Sequence, residues 1–152
     1  MPASRSLRYA ITHISKRETY LELFAKAPSG AIAGEASTSY LWNPQAAYRI
    51  HEANPEAKIL VILRDPIDRA YSHYLMAIRE GWQDLPFLEA LKADARITEQ
   101  GFGNSRLYVP MGLYHQQVKR YLDIFDKSNV MILTFDRFVN PNPKIISVDS
   151  TN

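Results

Sequence analysis

The sequence predicts an α/β protein: a parallel sheet with helices on both faces. Three observations predict it. The run 58–64 (KILVILR) is apolar from Ile59 to Leu63, the pattern of a strand covered on both sides. The run 129–135 (NVMILTF) is of the same kind. Around them lie segments whose apolar residues recur at helical spacing. Strands that alternate with helices pair in parallel through crossovers.

In chain order, 1–14 is polar and weakly patterned. Residues 19–26 (TYLELFAK) carry apolar side chains at 21, 24 and 25, a short amphipathic helix. Residues 31–36 read as a strand whose end, Glu35-Ala36, runs into a loop. Asn43-Pro44 reads as an N-cap and first-turn proline, opening a helix that stops at Asn54, before Pro55. After the strand 58–64, Asp65-Pro66-Ile67-Asp68 opens a helix over 66–79, with apolar positions at Ile67, Ala70, Tyr71, Tyr74 and Ile78 and a stop at Gly81. Phe87–Ala95 is a shorter helix, and Gly101–Asn104 a loop. Leu113–Phe125 is amphipathic, with Tyr114, Val118, Tyr121 and Phe125 on one face. The strand 129–135 follows. The stretch 140–152, with three Asn and two Pro, has no pattern and is expected to be a loose tail.

Composition narrows the function classes. At 152 residues, 46% of them hydrophobic, the chain suits one domain with a real core. The net charge of +2 permits an anionic ligand without announcing a nucleic-acid or membrane-surface protein. No Cys is present, which excludes disulfides, thiolate zinc sites and a cysteine nucleophile. The N-terminal residues lack the apolar stretch of a signal peptide, and no run approaches the roughly 20 apolar residues of a membrane span. A cytoplasmic location is expected. His13, His51, His73 and His115 show no metal-ligand spacing, so no metal is expected. The glycine-rich phosphate motifs G-x-x-x-x-G-K-[ST] and G-x-G-x-x-G are missing from the 152 residues.

The chemistry concentrates at the turn after 58–64. Ligands of open α/β sheets bind at the carboxyl ends of strands, where Arg64 stands. The helix that starts there is expected to offer free backbone N–H groups to an anion. Asp65, Asp68, Ser72 and Met76 share one helix face, so Ser72 is placed to add a hydroxyl to what Arg64 holds, a combination suited to phosphate. The plain alternative is an Arg64–Asp68 ion pair with Ser72 merely solvated. Glu35, at its strand end, is placed to act as a general base if 31–36 neighbours 58–64. The alternative there is an ordinary ion-paired glutamate. The basic and aromatic residues Arg64, Arg69, Tyr71, His73, Tyr74 and Arg79 do not read as a nucleic-acid surface, because the tyrosines fall on the apolar stripe and acids dilute the charge.

KILVILRDPIDRAYSHYLM, residues 58–76, resembles the 3′-phosphate-binding motif of the sulfotransferases that use 3′-phosphoadenosine 5′-phosphosulfate (PAPS): a strand, an R-[DN]-P turn and a Ser eight residues after the Arg. GEASTSYL, residues 34–41, is similar to the G-E-K-T-P-x-Y motif of the heparan-type and bacterial branch. Residues 112–138 resemble the family's later helix–strand unit. Together these cover residues 31–140. The resemblance implies a three-layer parallel sheet of the P-loop nucleotide-kinase-like sulfotransferase type. It implies that Arg64 and Ser72 bind the 3′-phosphate of the co-substrate PAPS, and that Glu35 is the catalytic base. The acceptor would be a small molecule or carbohydrate bearing a hydroxyl or amine, with Trp42, Trp82, Phe87, Phe102 and Tyr108 on its side.

Departures from the family pattern add further expectations. Ala36 stands where the family has Lys. The strand and glycine-rich loop that bind the 5′-phosphosulfate have no counterpart before Glu35, nor has the C-terminal nucleotide loop. In this family that strand lies between those equivalent to 58–64 and 129–135. The chain therefore reads as an incomplete domain over 1–140 with an irregular tail at 141–152, inactive or weakly active alone. The alternatives are a non-catalytic remnant binding an anion or protein partner, with homo-oligomers through open strand edges, or a nucleotide kinase-like protein, against which the absent Walker lysine counts.

Overall fold

The computed structural model describes residues 16–97 and 107–139, which divide into two compact units, Met1–Ser37 and Thr38–Asn152. The expected loop at Gly101–Asn104 and the tail from 140 onward lie outside the described residues, as do His13 and Phe102.

In the first unit, α1 (Arg17–Glu22) is one and a half turns long, and Tyr20 meets the Phe24 ring edge-on at 5.3 Å. A tight turn follows. Ala31 N–H donates to the Pro28 carbonyl at 3.0 Å, and Gly30 takes φ +80°, the left-handed backbone a type II turn requires at its third residue. The strand expected over 31–36 is not there. Residues 31–37 have no regular structure, and Ile32 is 99% exposed. The run holds a single large apolar side chain among alanines and Gly34, too little to anchor a strand.

In the second unit, α2 (Ala46–Ala53) begins later than Asn43-Pro44 suggested. The Asn43 side chain accepts from Gln45 N–H at 2.9 Å and closes a local turn instead of capping the helix. The helix ends before Pro55 as expected. β1 (Ile59–Leu63) leads into α3 (Pro66–Arg79). Asp65 caps α3, its carboxylate accepting from Ile67 N–H at 2.9 Å and Asp68 N–H at 3.1 Å. At the other end, Gly81 (φ +74°) donates to the Ile78 carbonyl at 3.0 Å and Trp82 to that of Ala77 at 2.8 Å. This is the paired closure that a left-handed residue after a helix allows. Then come α4 (Phe87–Asp94), α5 (Tyr114–Ile124), β2 (Val130–Thr134) and α6 (Phe135–Val139).

The sheet among the described residues has two strands, not three. β1 and β2 pair directly and in parallel, from Ile59 opposite Val130 to Leu63 opposite Thr134. An intervening strand, as the family arrangement implied, is absent; direct pairing satisfies the inner-edge backbone groups of both strands. Side chains alternate in burial: Val61 is buried, whereas Leu60 and Met131 on the other face are exposed.

Two apolar clusters hold this unit together. Ala47 of α2 packs with Tyr121 of α5 and Phe125, joined by Ile59 and Val130 from the strand starts. Arg120 and Tyr121 of α5 reach back to carbonyls of the 40–42 turn, the Tyr121 hydroxyl donating to that of Tyr40 at 2.9 Å. The other cluster joins Ala70 and Ala77 of α3, Ala90 of α4 and Tyr108, with Tyr74 against them. α3 therefore buries its alanine face, where small side chains allow close approach. Ile67, Tyr71 and Ile78, expected in the core, are exposed. Tyr108 has the opposite fate. Expected on the acceptor side, it is completely buried, its hydroxyl accepting from Gln83 Nε2 at 3.1 Å and its ring edge-on to His73.

Two stability changes follow. Asp65→Ala removes the acceptor for two first-turn amides and should lower unfolding free energy by about 1 kcal/mol in urea titrations. Tyr108→Ala empties the centre of its cluster and should cost about 3–5 kcal/mol by the same measurement.

Candidate functional site

Parallel pairing brings the carboxyl ends of β1 and β2 side by side. Leu63 lies opposite Thr134, so the next residues, Arg64 and Phe135, leave the sheet together. The Arg64 guanidinium carbon stands 5.5 Å from the Phe135 ring centroid, a cation–π contact that steadies an exposed side chain. A cavity of about 330 Å³ opens here, lined by Arg64, Asp65, Tyr114, Thr134, Phe135 and Asp136, among others. No ion pair engages Arg64 among the described residues, so the Arg64–Asp68 alternative is not the arrangement found.

The anion site anticipated at the helix start differs in one respect. The first turn of α3 has no spare N–H groups. Pro66 has none, Ile67 and Asp68 donate to the Asp65 carboxylate, and Arg69 donates to the Asp65 carbonyl at 2.9 Å. The capping carboxylate also cancels part of the positive field at that terminus. Any anion here is held by side chains.

Ser72 lies in the second turn of α3, exposed, and is not among the residues lining the cavity. Glu35 lies in the first unit, exposed, where its Oε2 accepts from the Tyr20 hydroxyl at 3.4 Å. Partial burial and the Glu35 carboxylate hold the Tyr20 phenol above the ordinary tyrosine range.

Tyr114 was read from its spacing as part of one face of an amphipathic helix. The structure puts it at the mouth of the site. It is the first residue of α5, half-buried, and lines both the Arg64 cavity and an open hollow of about 460 Å³ over the start of that helix. Burial, with Asp65 adding to it, raises its phenol above the ordinary range, while Arg69, the Arg64 backbone amide and the Arg64 guanidinium pull the other way. A tyrosine two residues after a glycine at a helix start, Gly112-Leu113-Tyr114, is the sequence signal that marks it off from the core residues further along.

The segment carrying Tyr114 is held from three sides. Arg69 donates through Nη2 to the Tyr108 carbonyl, and Gly112 lies against Pro66 and the Arg69 guanidinium. The buried Asp94 carboxylate accepts from Val109 N–H at 2.7 Å. Gln117, buried in α5, donates to the carbonyls of Pro110, Met111 and Leu113. Burial lowers the Arg69 pKa, opposed by Tyr114 and Asp94. Among the described residues no group of three or more His, Asp or Glu side chains is placed to hold a metal ion, and no helix is long and apolar enough to cross a membrane.

Comparison with known proteins agrees with this arrangement. A sulfotransferase from Alicyclobacillus acidocaldarius shares the fold over 84% of this chain and 52% of its own, with a TM-score of 0.77 and 38% identity. Human heparan sulfate glucosamine 3-O-sulfotransferase 6 is 29% identical over 124 residues, which are 80% of this chain and 34% of that protein. Human heparan sulfate glucosamine 3-O-sulfotransferase 3B1 is 26% identical over 121 residues, 80% of this chain and 30% of that one. The chain thus spans about a third of the curated relatives it matches. The family model described as "Sulfotransferase domain" matches residues 43–148, which include β1, the Asp65 turn, α3, α5 and β2. With most of the chain matched and the fold shared, this protein belongs to the sulfotransferase domain family.

Proposed function

We propose that this chain takes part in transfer of a sulfuryl group from PAPS to a hydroxyl or amine, and that the Arg64 cavity receives the 3′-phosphate of the donor. The observation that carries the reading is Arg64 itself: a guanidinium at the carboxyl end of a parallel strand, with no ion pair among the described residues, standing over a ring at the edge of a cavity. A planar guanidinium binds a phosphate monoester through two parallel N–H bonds. In this reading Ser72 adds its hydroxyl from α3, and the donor supplies the sulfuryl group. Glu35 takes the proton as the acceptor oxygen bonds to sulfur and the bond to the leaving 5′-phosphate breaks. The names of the curated relatives favour a carbohydrate acceptor.

Two outcomes test the reading. Titration calorimetry should show adenosine 3′,5′-bisphosphate binding in preference to 5′-AMP, with Arg64→Ala weakening the bisphosphate thirtyfold or more, about 2 kcal/mol, as for other truncated charge pairs. A folded chain that does not discriminate between the two nucleotides would refute the reading and favour a non-catalytic remnant. The second outcome concerns rate. Charge stabilisation at the transferring group supplies most of such a barrier reduction, and the 152 residues contain no glycine-rich phosphate loop. Sulfuryl transfer by this chain alone to a glucosamine-containing oligosaccharide should stay at background, and measurable turnover would show that the loop is dispensable.

A further inference from the structure

Tyr114 is the one hydroxyl-bearing ring in the lining of the Arg64 cavity. It reaches the site from α5, an element separate from the β1–α3 turn that supplies Arg64. Its placement is fixed rather than accidental. Gln117, one turn along the same helix, gathers three carbonyls of the preceding segment, and Arg69 and Asp94 tie that segment to α3 and α4. A phenol has one O–H donor and two acceptor positions. The Arg64 backbone amide is close enough to act on the phenol oxygen and favours its anion. Among the described residues no acceptor takes the phenol proton.

We propose that the Tyr114 hydroxyl donates this proton in a hydrogen bond to the phosphate monoester held by Arg64, making Tyr114 a binding residue for the donor nucleotide. The inference rests on the reading of the Arg64 cavity as the 3′-phosphate site. It explains how an anion is held at a helix start whose amides are all engaged. The guanidinium supplies the charge and two donors, and the phenol supplies a third donor from α5. Asp65 spends its Oδ1 on the Ile67 and Asp68 amides.

The test is calorimetric titration of the native chain, Tyr114→Phe and Arg64→Ala with adenosine 3′,5′-bisphosphate and with 5′-AMP, circular dichroism confirming the fold. Tyr114→Phe keeps the ring and removes the hydroxyl. It should weaken the bisphosphate about tenfold, the scale of one hydrogen bond to a charged group, and leave 5′-AMP within about twofold. Confinement of the loss to the nucleotide bearing the 3′-phosphate is the signature that general loosening of the site would not give. Equal weakening of both nucleotides, or a Tyr114→Phe chain that fails to fold, would make the tyrosine structural and overturn the proposal. Native affinity in Tyr114→Phe beside lost affinity in Arg64→Ala would overturn it while leaving the phosphate site standing. A native chain indifferent to the 3′-phosphate would remove both.

Discussion

The five-residue parallel ladder between β1 and β2 is the constraint on which the rest of the second unit depends. The paired residues are 71 positions apart in sequence, so closing this contact costs chain entropy that only burial and backbone pairing repay. Once closed, it decides the site. The register sets Leu63 opposite Thr134, which brings Arg64 to Phe135 and makes the cavity's two walls from the two strand ends. A slip of one residue would exchange the faces of one strand and move Arg64 away from the Phe135 ring. The helices act as braces on this ladder. α2 and α5 pack together beside the strand starts, and α3 leaves from the β1 end under its Asp65 cap.

Much of this was legible in the sequence because it is written in local rules. The strands 58–64 and 129–135 announce themselves by uninterrupted apolar runs, and each is found to within a residue or two. The start of α3 is specified three times over, by Asp65 as cap, Pro66 in the first turn and Asp68 near the positive end. Gly81 marks its end for a backbone reason, a left-handed φ that few side chains adopt. What failed depended on partners that no local rule names. The run 31–36 has the look of a strand end but no ladder to join. Ile67 and Tyr71 have helical spacing, yet the side of α3 that packs is chosen by Ala90 and Tyr108, residues far along the chain.

The site divides the same way. Arg64 was visible because its position at a strand end is a topological fact that sequence order supplies. Tyr114 was hidden because its place in the cavity lining depends on where α5 begins in space. Its spacing with Val118, Tyr121 and Phe125 is genuine, but the buried part of the face starts later, at Gln117 and Tyr121. The first turn of a helix often lies at the edge of what the helix covers, so a residue there can share the apolar stripe in sequence and still face a cavity.

The charges around that cavity sharpen the point. Its lining includes one guanidinium and two carboxylates, Arg64 against Asp65 and Asp136. A long-range field therefore does not draw an anion in, and the net charge of +2 adds little at physiological salt, where charges beyond about 8 Å are screened. Recognition in such a place must be short-range and directional. Under the proposed reading each hydrogen-bond donor matters individually, because geometry and not net charge would separate a phosphate monoester from solvent ions. The capped helix start removes the backbone amides from the supply of donors. That leaves the guanidinium of Arg64 and the hydroxyls of Tyr114 and Thr134 as hydrogen-bond donors in the lining, and under the proposed reading these are the groups that would discriminate.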